Sequence, residues 1–142
     1  MTIEQRENEL RETFGFFDDW MDKYEHIIQL GKELPLLAEE EKADELLIKG
    51  CQSRVWLKPN YNGEVVTFKA DSDAIITKGI ISILIKVLNN QKPKDIVDAK
   101  LEIIDEIGLK EHLSPTRSNG LVSMIKQIKN YALAYSLTQK AQ

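Results

Sequence analysis

The chain of 142 residues has one cysteine, Cys51, set in the stretch GCQSRVWL between Gly50 and a polar run that leads into Val-Trp-Leu. Thiolate is the strongest nucleophile among ordinary side chains near neutral pH, so Cys51 is the first candidate for covalent chemistry. An unreactive cysteine usually fills space as a small hydrophobe. Its neighbours here argue for a different placement. Gly50 permits a tight turn and the close approach of another segment, while Gln52 and Ser53 suit a core poorly. A thiol on a loop tip can reach into another protein's pocket, which a thiol on a core strand cannot.

Cysteine-histidine hydrolysis would need a base beside Cys51, and the two histidines, His26 and His112, both lie far from it in sequence. One cysteine and two scattered histidines also lack the paired spacings that build zinc or iron-sulfur sites. Asp71 and Asp73, in ADSDA, are expected to cap the helix that follows. Arg117, in SPTRSNG, is expected on a loop of small polar residues, where it could pair with an acid across an interface or favour a nearby thiolate. No glycine-rich phosphate loop is present.

These residues must be positioned by a modest core. Hydrophobic residues make up 42% and charged residues 30%, the composition of a soluble globular protein, and the length predicts a single domain over residues 1–142. The formal net charge is -4 and no dense Lys/Arg run occurs, which argues against a nucleic-acid partner. The start, MTIEQRENELRE, has no apolar leader region, and GIISILI is too short to cross a bilayer, so no membrane partner is expected. A lone cysteine fits a reducing compartment, and the expected location is cytoplasmic.

Apolar periodicity predicts a helix from Ile3 to Phe17, then a second one capped by Asp18 or Asp19, bearing Trp20, Tyr24, Ile27 and Leu30, and ended by Gly31 and Pro35. The acidic run AEEEKADE at 38–45 reads as a solvated loop or turn. ELLIKG, RVWLK and EVVTFKA read as short antiparallel strands, with Cys51 in or beside the first turn and PNYNG forming another. A helix from about Ala74 to Asn89 is too apolar for a surface and should be central, with Gly79 admitting a close neighbour. One or two short helices ending at Gly108 follow. LSPTRSNG is expected to be a loop before a last helix bearing Leu121, Met124, Ile125 and Ile128. The predicted class is α+β, a small three-stranded antiparallel sheet packed by helices in the order α-α-β-β-β-α-α-α.

GCQSRVWL, followed by DSDAIITKGI and LSPTRSNGL and preceded by YEHIIQLGKELP, resembles the SufE family of sulfur acceptors over about residues 10–137. The resemblance implies a compact SufE/NifU-like α+β domain. It implies that Cys51 takes sulfur from the persulfide of a pyridoxal-phosphate cysteine desulfurase of the SufS type and stimulates that enzyme. The sulfur is then held as a Cys51 persulfide and delivered to an iron-sulfur scaffold of the SufBCD type. Pyridoxal phosphate belongs to the partner, and this chain is expected to hold no cofactor or metal and to be an accessory protein rather than an enzyme. Arg117 matches the arginine of the family's Pro-x-Arg-Ser motif, associated with engaging the desulfurase, and Asp73 matches an acid after the strand pair. Gly50, Gln52, Ser53 and Arg54 complete the implied partner-facing set, in a monomer or weak homodimer. Arg54 and KPNYNG depart from many relatives. Two rival readings are a paralogous acceptor serving a different desulfurase and a non-catalytic interaction module.

Overall fold

In the computed structural model the described backbone runs over residues 1–141 and the described side chains over residues 1–138. Helix α1 spans Ile3–Gly15 and opens with a reciprocal cap between Thr2 and Gln5, burying Leu10 and Phe14. Helix α2, Trp20–Lys32, is capped by Asp19, whose carboxylate accepts from the Asp22 amide. Two 3-10 turns, Glu39–Glu41 and Asp44–Leu46, carry the acidic run. Strands β1, Val55–Tyr61, and β2, Val66–Ser72, pair antiparallel with Val55 opposite Ser72 and Tyr61 opposite Val66.

Helix α3, Ile75–Leu88, is buried on nearly every side and forms the centre of the core, as its composition requires. α2 lies closest to it because glycines meet: a Cβ on Gly79 would sit 2.3 Å from the Ile27 carbonyl oxygen, and one on Gly31 2.9 Å from the Gly79 nitrogen. The buried Ser82 hydroxyl donates to the Leu30 carbonyl at 2.7 Å and ties the two helices further. The sheet lays Val55, Leu57, Val66, Phe68 and Ala70 against this core on the two-residue period of strands. Short helices α4, Pro93–Asp98, α5, Glu102–Ile107, and α6, Leu109–His112, lead to the long α7, Pro115–Ala141, with Gly108 at a left-handed φ of 89° closing α5.

The sheet has two strands, not three. Five helices follow it where the predicted order has three: α4 and α5 form separately before Gly108, which in its left-handed conformation both closes α5 and opens α6. ELLIKG contributes only a bridge between Leu47 and Trp56 and a bond from the Ile48 amide to the Val55 carbonyl. The reason is length: the 3-10 turn ends at Leu46 and Gly50 turns the chain with φ 91°, leaving too few residues for a strand. The second turn is also tighter than PNYNG suggests, since Pro59, Asn60 and Tyr61 stay in β1 and the Asn62 side chain accepts from the Glu64 and Val65 amides. The acidic run forms largely exposed helical turns, as its charge implies, although Glu41 pairs with Lys58 and Lys42 pairs with both Glu39 and Asp71.

Two further expectations give way. Asp71 and Asp73 do not cap α3; the side chain of its first flanking residue, Ala74, makes no cap bond. Asp71 is instead engaged by Lys42 at 2.8 Å and Lys78 at 3.4 Å, and Asp73 turns back to the Cys51 loop. Burial of the apolar α3 outweighs the missing cap. LSPTRSNG is not a loop: Pro115 is the first helical residue of α7, and Ser114 caps it by accepting from the Arg117 amide at 3.3 Å. Among the described residues no helix is long and apolar enough to cross a membrane.

Candidate functional site

Cys51 lies on a loop whose two ends are both fastened. On one side the Ile48 amide donates to the Val55 carbonyl at 2.9 Å. On the other, Arg54 is held by its backbone: its amide donates to Asp73 Oδ1 at 3.1 Å, and its carbonyl accepts from the Asp73 amide at 3.2 Å and the Ser72 hydroxyl at 2.8 Å. The loop between these anchors is short, and its fold requires Gly50. A Cβ at Gly50 would lie 2.4 Å from Ser123 Oγ on α7, and the residue's positive φ excludes most side chains besides.

The thiol is half-buried and turned inward. Cys51 Sγ lies 3.6 Å from the Gly120 carbonyl oxygen of α7, within reach of an S–H donor. Beneath the loop is a cavity of about 430 Å³ between α3 and the first turns of α7. Thr77 and Ile80 of α3 face Ser114, Thr116, Arg117, Gly120 and Met124, and Cys51, Gln52 and Ser53 form its roof. Burial pushes the Cys51 thiol above its ordinary pKa, so the free protein holds it largely protonated at neutral pH.

Of the residues singled out in the sequence, Cys51, Gln52, Ser53 and Arg117 meet at this cavity, with Gly50 forming the bend above it. Arg54 and Asp73 stand outside the cavity, exposed, and act on the loop through the backbone bonds between them. Arg117 is exposed on the first turns of α7 and lines the cavity there. Neither histidine lines the cavity. His26 packs edge-on against Phe14, and His112 stacks on Trp20 with ring centroids 4.5 Å apart. No group of three or more metal-ligating side chains occurs among the described residues.

Sequence reading misses the cavity's back wall. Thr77 and Ile80 read as ordinary positions of an apolar helix, and Ser114, Thr116, Gly120 and Met124 divide between an expected loop and a core stripe. A usable signal is present, since Ser-Pro is a common way to open a helix and carries α7 back through Arg117 to Gly120.

This arrangement can accept an electrophilic atom on sulfur but holds no base to deprotonate the thiol unaided. Comparison with known proteins adds the family. The model of the SufE Fe-S metabolism associated domain matches residues 8–132. An uncharacterized SufE-like protein of Rhizobium etli is 41% identical over 131 residues, covering 88% of each chain. One from Rhizobium meliloti is 39% identical over 131 residues, covering 88% of this chain and 93% of its own. In three dimensions the fold is similar to the solution structure of a hypothetical protein from Thermus thermophilus. The TM-score is 0.76 at 14% identity, over 93% of this chain and 96% of the other. The chain belongs to the SufE family, whose domain is associated with iron-sulfur metabolism.

Proposed function

We propose that this protein is a sulfur acceptor and carrier. It takes sulfur onto Cys51 from the persulfide of a pyridoxal-phosphate cysteine desulfurase of the SufS type and passes it to an iron-sulfur scaffold of the SufBCD type. The observation that carries the reading is the placement of the chain's one thiol on a loop tethered at both ends, with Sγ turned into a cavity that contains no histidine. A hydrolase needs its base in place, whereas an acceptor can be activated by its donor.

The transfer needs little from this chain. The Cys51 thiolate attacks the terminal sulfur of the donor persulfide, the new Sγ–S bond forms, the donor's own S–S bond breaks, and the donor thiolate leaves. The sulfane sulfur keeps its oxidation level, so no external oxidant or reductant enters. A second cysteine in the chain could attack the new persulfide, expel sulfide and close a disulfide; with one cysteine that side reaction has no intramolecular partner.

In the free protein burial and protonation slow oxidation of Cys51. Docking draws the loop outward, bringing the thiol to the donor and restoring an ordinary pKa. Arg117 at the cavity mouth, with Gln52, Ser53 and Arg54 on the loop, provides the docking contacts, and Asp73 sets how readily the loop leaves its anchor. Removing the persulfide from the desulfurase frees it for another turnover, so acceptance and stimulation are one event. The reducing cytoplasm fits a carrier with one unprotected thiol.

The test is intact-protein mass spectrometry after incubation with a SufS-type desulfurase and L-cysteine. One added sulfur atom on the wild-type chain, removed by a reductant and absent in Cys51→Ser, is the expected result, together with loss of desulfurase stimulation in that variant. Undiminished stimulation by Cys51→Ser would refute transfer and leave an interaction module. No added mass with the first desulfurase and added mass with a second would identify a paralogous acceptor.

A further inference from the structure

On the side of α7 away from Cys51, the fold gathers lysines that are scattered in sequence. A groove of about 300 Å³ runs between α7 and the segment from Ala99 to Lys110. Its floor is apolar, made by Leu101, Ile104 and Ile125, and its rim carries Lys100, Lys110, Lys126 and Lys129 against Asp105, with the charge of Asp98 also acting on Lys129. Lys110 lies 3.5 Å from Asp105, and Lys129 donates to the Val97 and Ala99 carbonyls that end α4. Lys100 and Lys126 are exposed and make no ion pair among the described residues. A local excess of positive charge in a chain of net charge -4 is unexpected from composition.

An exposed stripe of α7 extends beyond the groove toward the end of the helix. At about 100° per residue, Val122, Lys126, Lys129, Leu133 and Leu137 fall on one stripe of α7, roughly opposite the stripe of Gly120 and Met124 that backs the Cys51 cavity. Val122, Leu133 and Leu137 are 52%, 45% and 57% exposed. A single exposed apolar side chain is ordinary, but three on one stripe continuous with an apolar groove leave a surface suited to being covered.

We infer that this stripe and groove form a second docking surface, for an acidic amphipathic helical segment of a partner protein. Charge complementarity and length select the occupant. Val122 to Leu137 extends over about four helical turns, the span of a partner helix of about 15 residues. Its apolar side chains would cover Val122, Leu133 and the groove floor, and its Asp and Glu would face Lys100 and Lys126. The surface rests on no part of the Cys51 reading. Its position opposite the thiol lets a partner stay bound here while another engages Cys51.

The experiment uses the full isotopically labelled chain, followed by amide NMR at low salt. It is titrated with a synthetic peptide of about 15 residues that carries leucines at helical spacing and glutamates elsewhere. Saturable shifts confined to residues 99–110 and 122–137 are expected. Affinity should fall on the order of tenfold in Lys100→Glu/Lys126→Glu, and a peptide with lysines in place of the glutamates should not bind. The double variant should keep its fold and still accept sulfur on Cys51. Shifts centred on the Cys51 cavity, or affinity unchanged in the double variant, would overturn the inference. So would shifts at these residues with phosphatidylserine vesicles but not with the peptide, which would mark a lipid-facing surface instead.

Discussion

Replacing Asp73 with alanine should make Cys51 more reactive although the two side chains do not touch. Asp73 Oδ1 holds the Arg54 amide at 3.1 Å, while the Arg54 carbonyl keeps its bonds from the Ser72 hydroxyl and the Asp73 amide in the variant. The substitution therefore removes one of three fastenings at one end of the loop and leaves the Ile48 to Val55 anchor intact. A hydrogen bond of this kind contributes a net of about 0.5–1.5 kcal/mol. If that energy is lost only from the closed loop, the open population rises about two- to twelvefold. Alkylation proceeds from the open form, because the closed thiol is half-buried and pushed up in pKa. The assay is the rate of iodoacetamide modification at neutral pH, followed by mass, with an unfolded control setting the unprotected rate. Asp73→Ala should react about two- to twelvefold faster than wild type and more slowly than the unfolded chain. Ser72→Ala/Asp73→Ala should react faster still. A folded Asp73→Ala with the wild-type rate would show that this anchor does not gate the thiol. A wild-type rate already equal to the unfolded control would remove the sheltered state itself.

The same substitution should have opposite effects at two glycines. Gly79→Ala places a Cβ 2.3 Å from the backbone oxygen of Ile27, which cannot rotate away, so α2 must shift and stability should fall by about 1–3 kcal/mol despite alanine's better helix propensity. Gly15→Ala meets nothing within 4 Å at the end of α1 and should be neutral or stabilising by up to about 1 kcal/mol. Urea midpoints distinguish the two, and a Gly79→Ala chain as stable as wild type would refute the close contact of α2 and α3. Acid stability should depend on Asp71. Burial pushes its carboxyl up, but the Lys42 bond, the Ser72 amide and the Lys78 charge together outweigh that and hold it below its ordinary range. Its contribution is thus present above the unfolded value of about 3.9 and is lost as pH falls through the lower folded value. Unfolding free energy measured across acid pH should fall less steeply in Asp71→Asn than in wild type; equal slopes would show that Asp71 is not paired.

Periodicity is enough for α1, α2 and α3 because their energetics are local in sequence, whereas α6 and the first turns of α7 escape it. The apolar spacing of α2, the dense apolar composition of α3 and the stop of α5 at Gly108 each follow from residues within a few turns. Cys51 can be singled out for the same reason, since Gly50 and Gln52 beside it are poor company for a buried filler. The third strand fails because two pairing residues between a 3-10 turn and a glycine look, in sequence, like the middle of a strand. The expected caps at Asp71 and Asp73 fail because a carboxylate next to a helix start can equally serve distant partners, here Lys42 and the Arg54 amide.

Residue type and near neighbours thus suffice for the first three helices, the family motifs and the identity of the one thiol. Three features needed the folded chain: Cys51 faces inward over a cavity, Asp73 fastens its loop, and Lys100, Lys110, Lys126 and Lys129 share a groove. Each depends on which segments the core around α3 brings together. Contacts between residues as far apart as Cys51 and Gly120 arise from packing, and no local pattern encodes them.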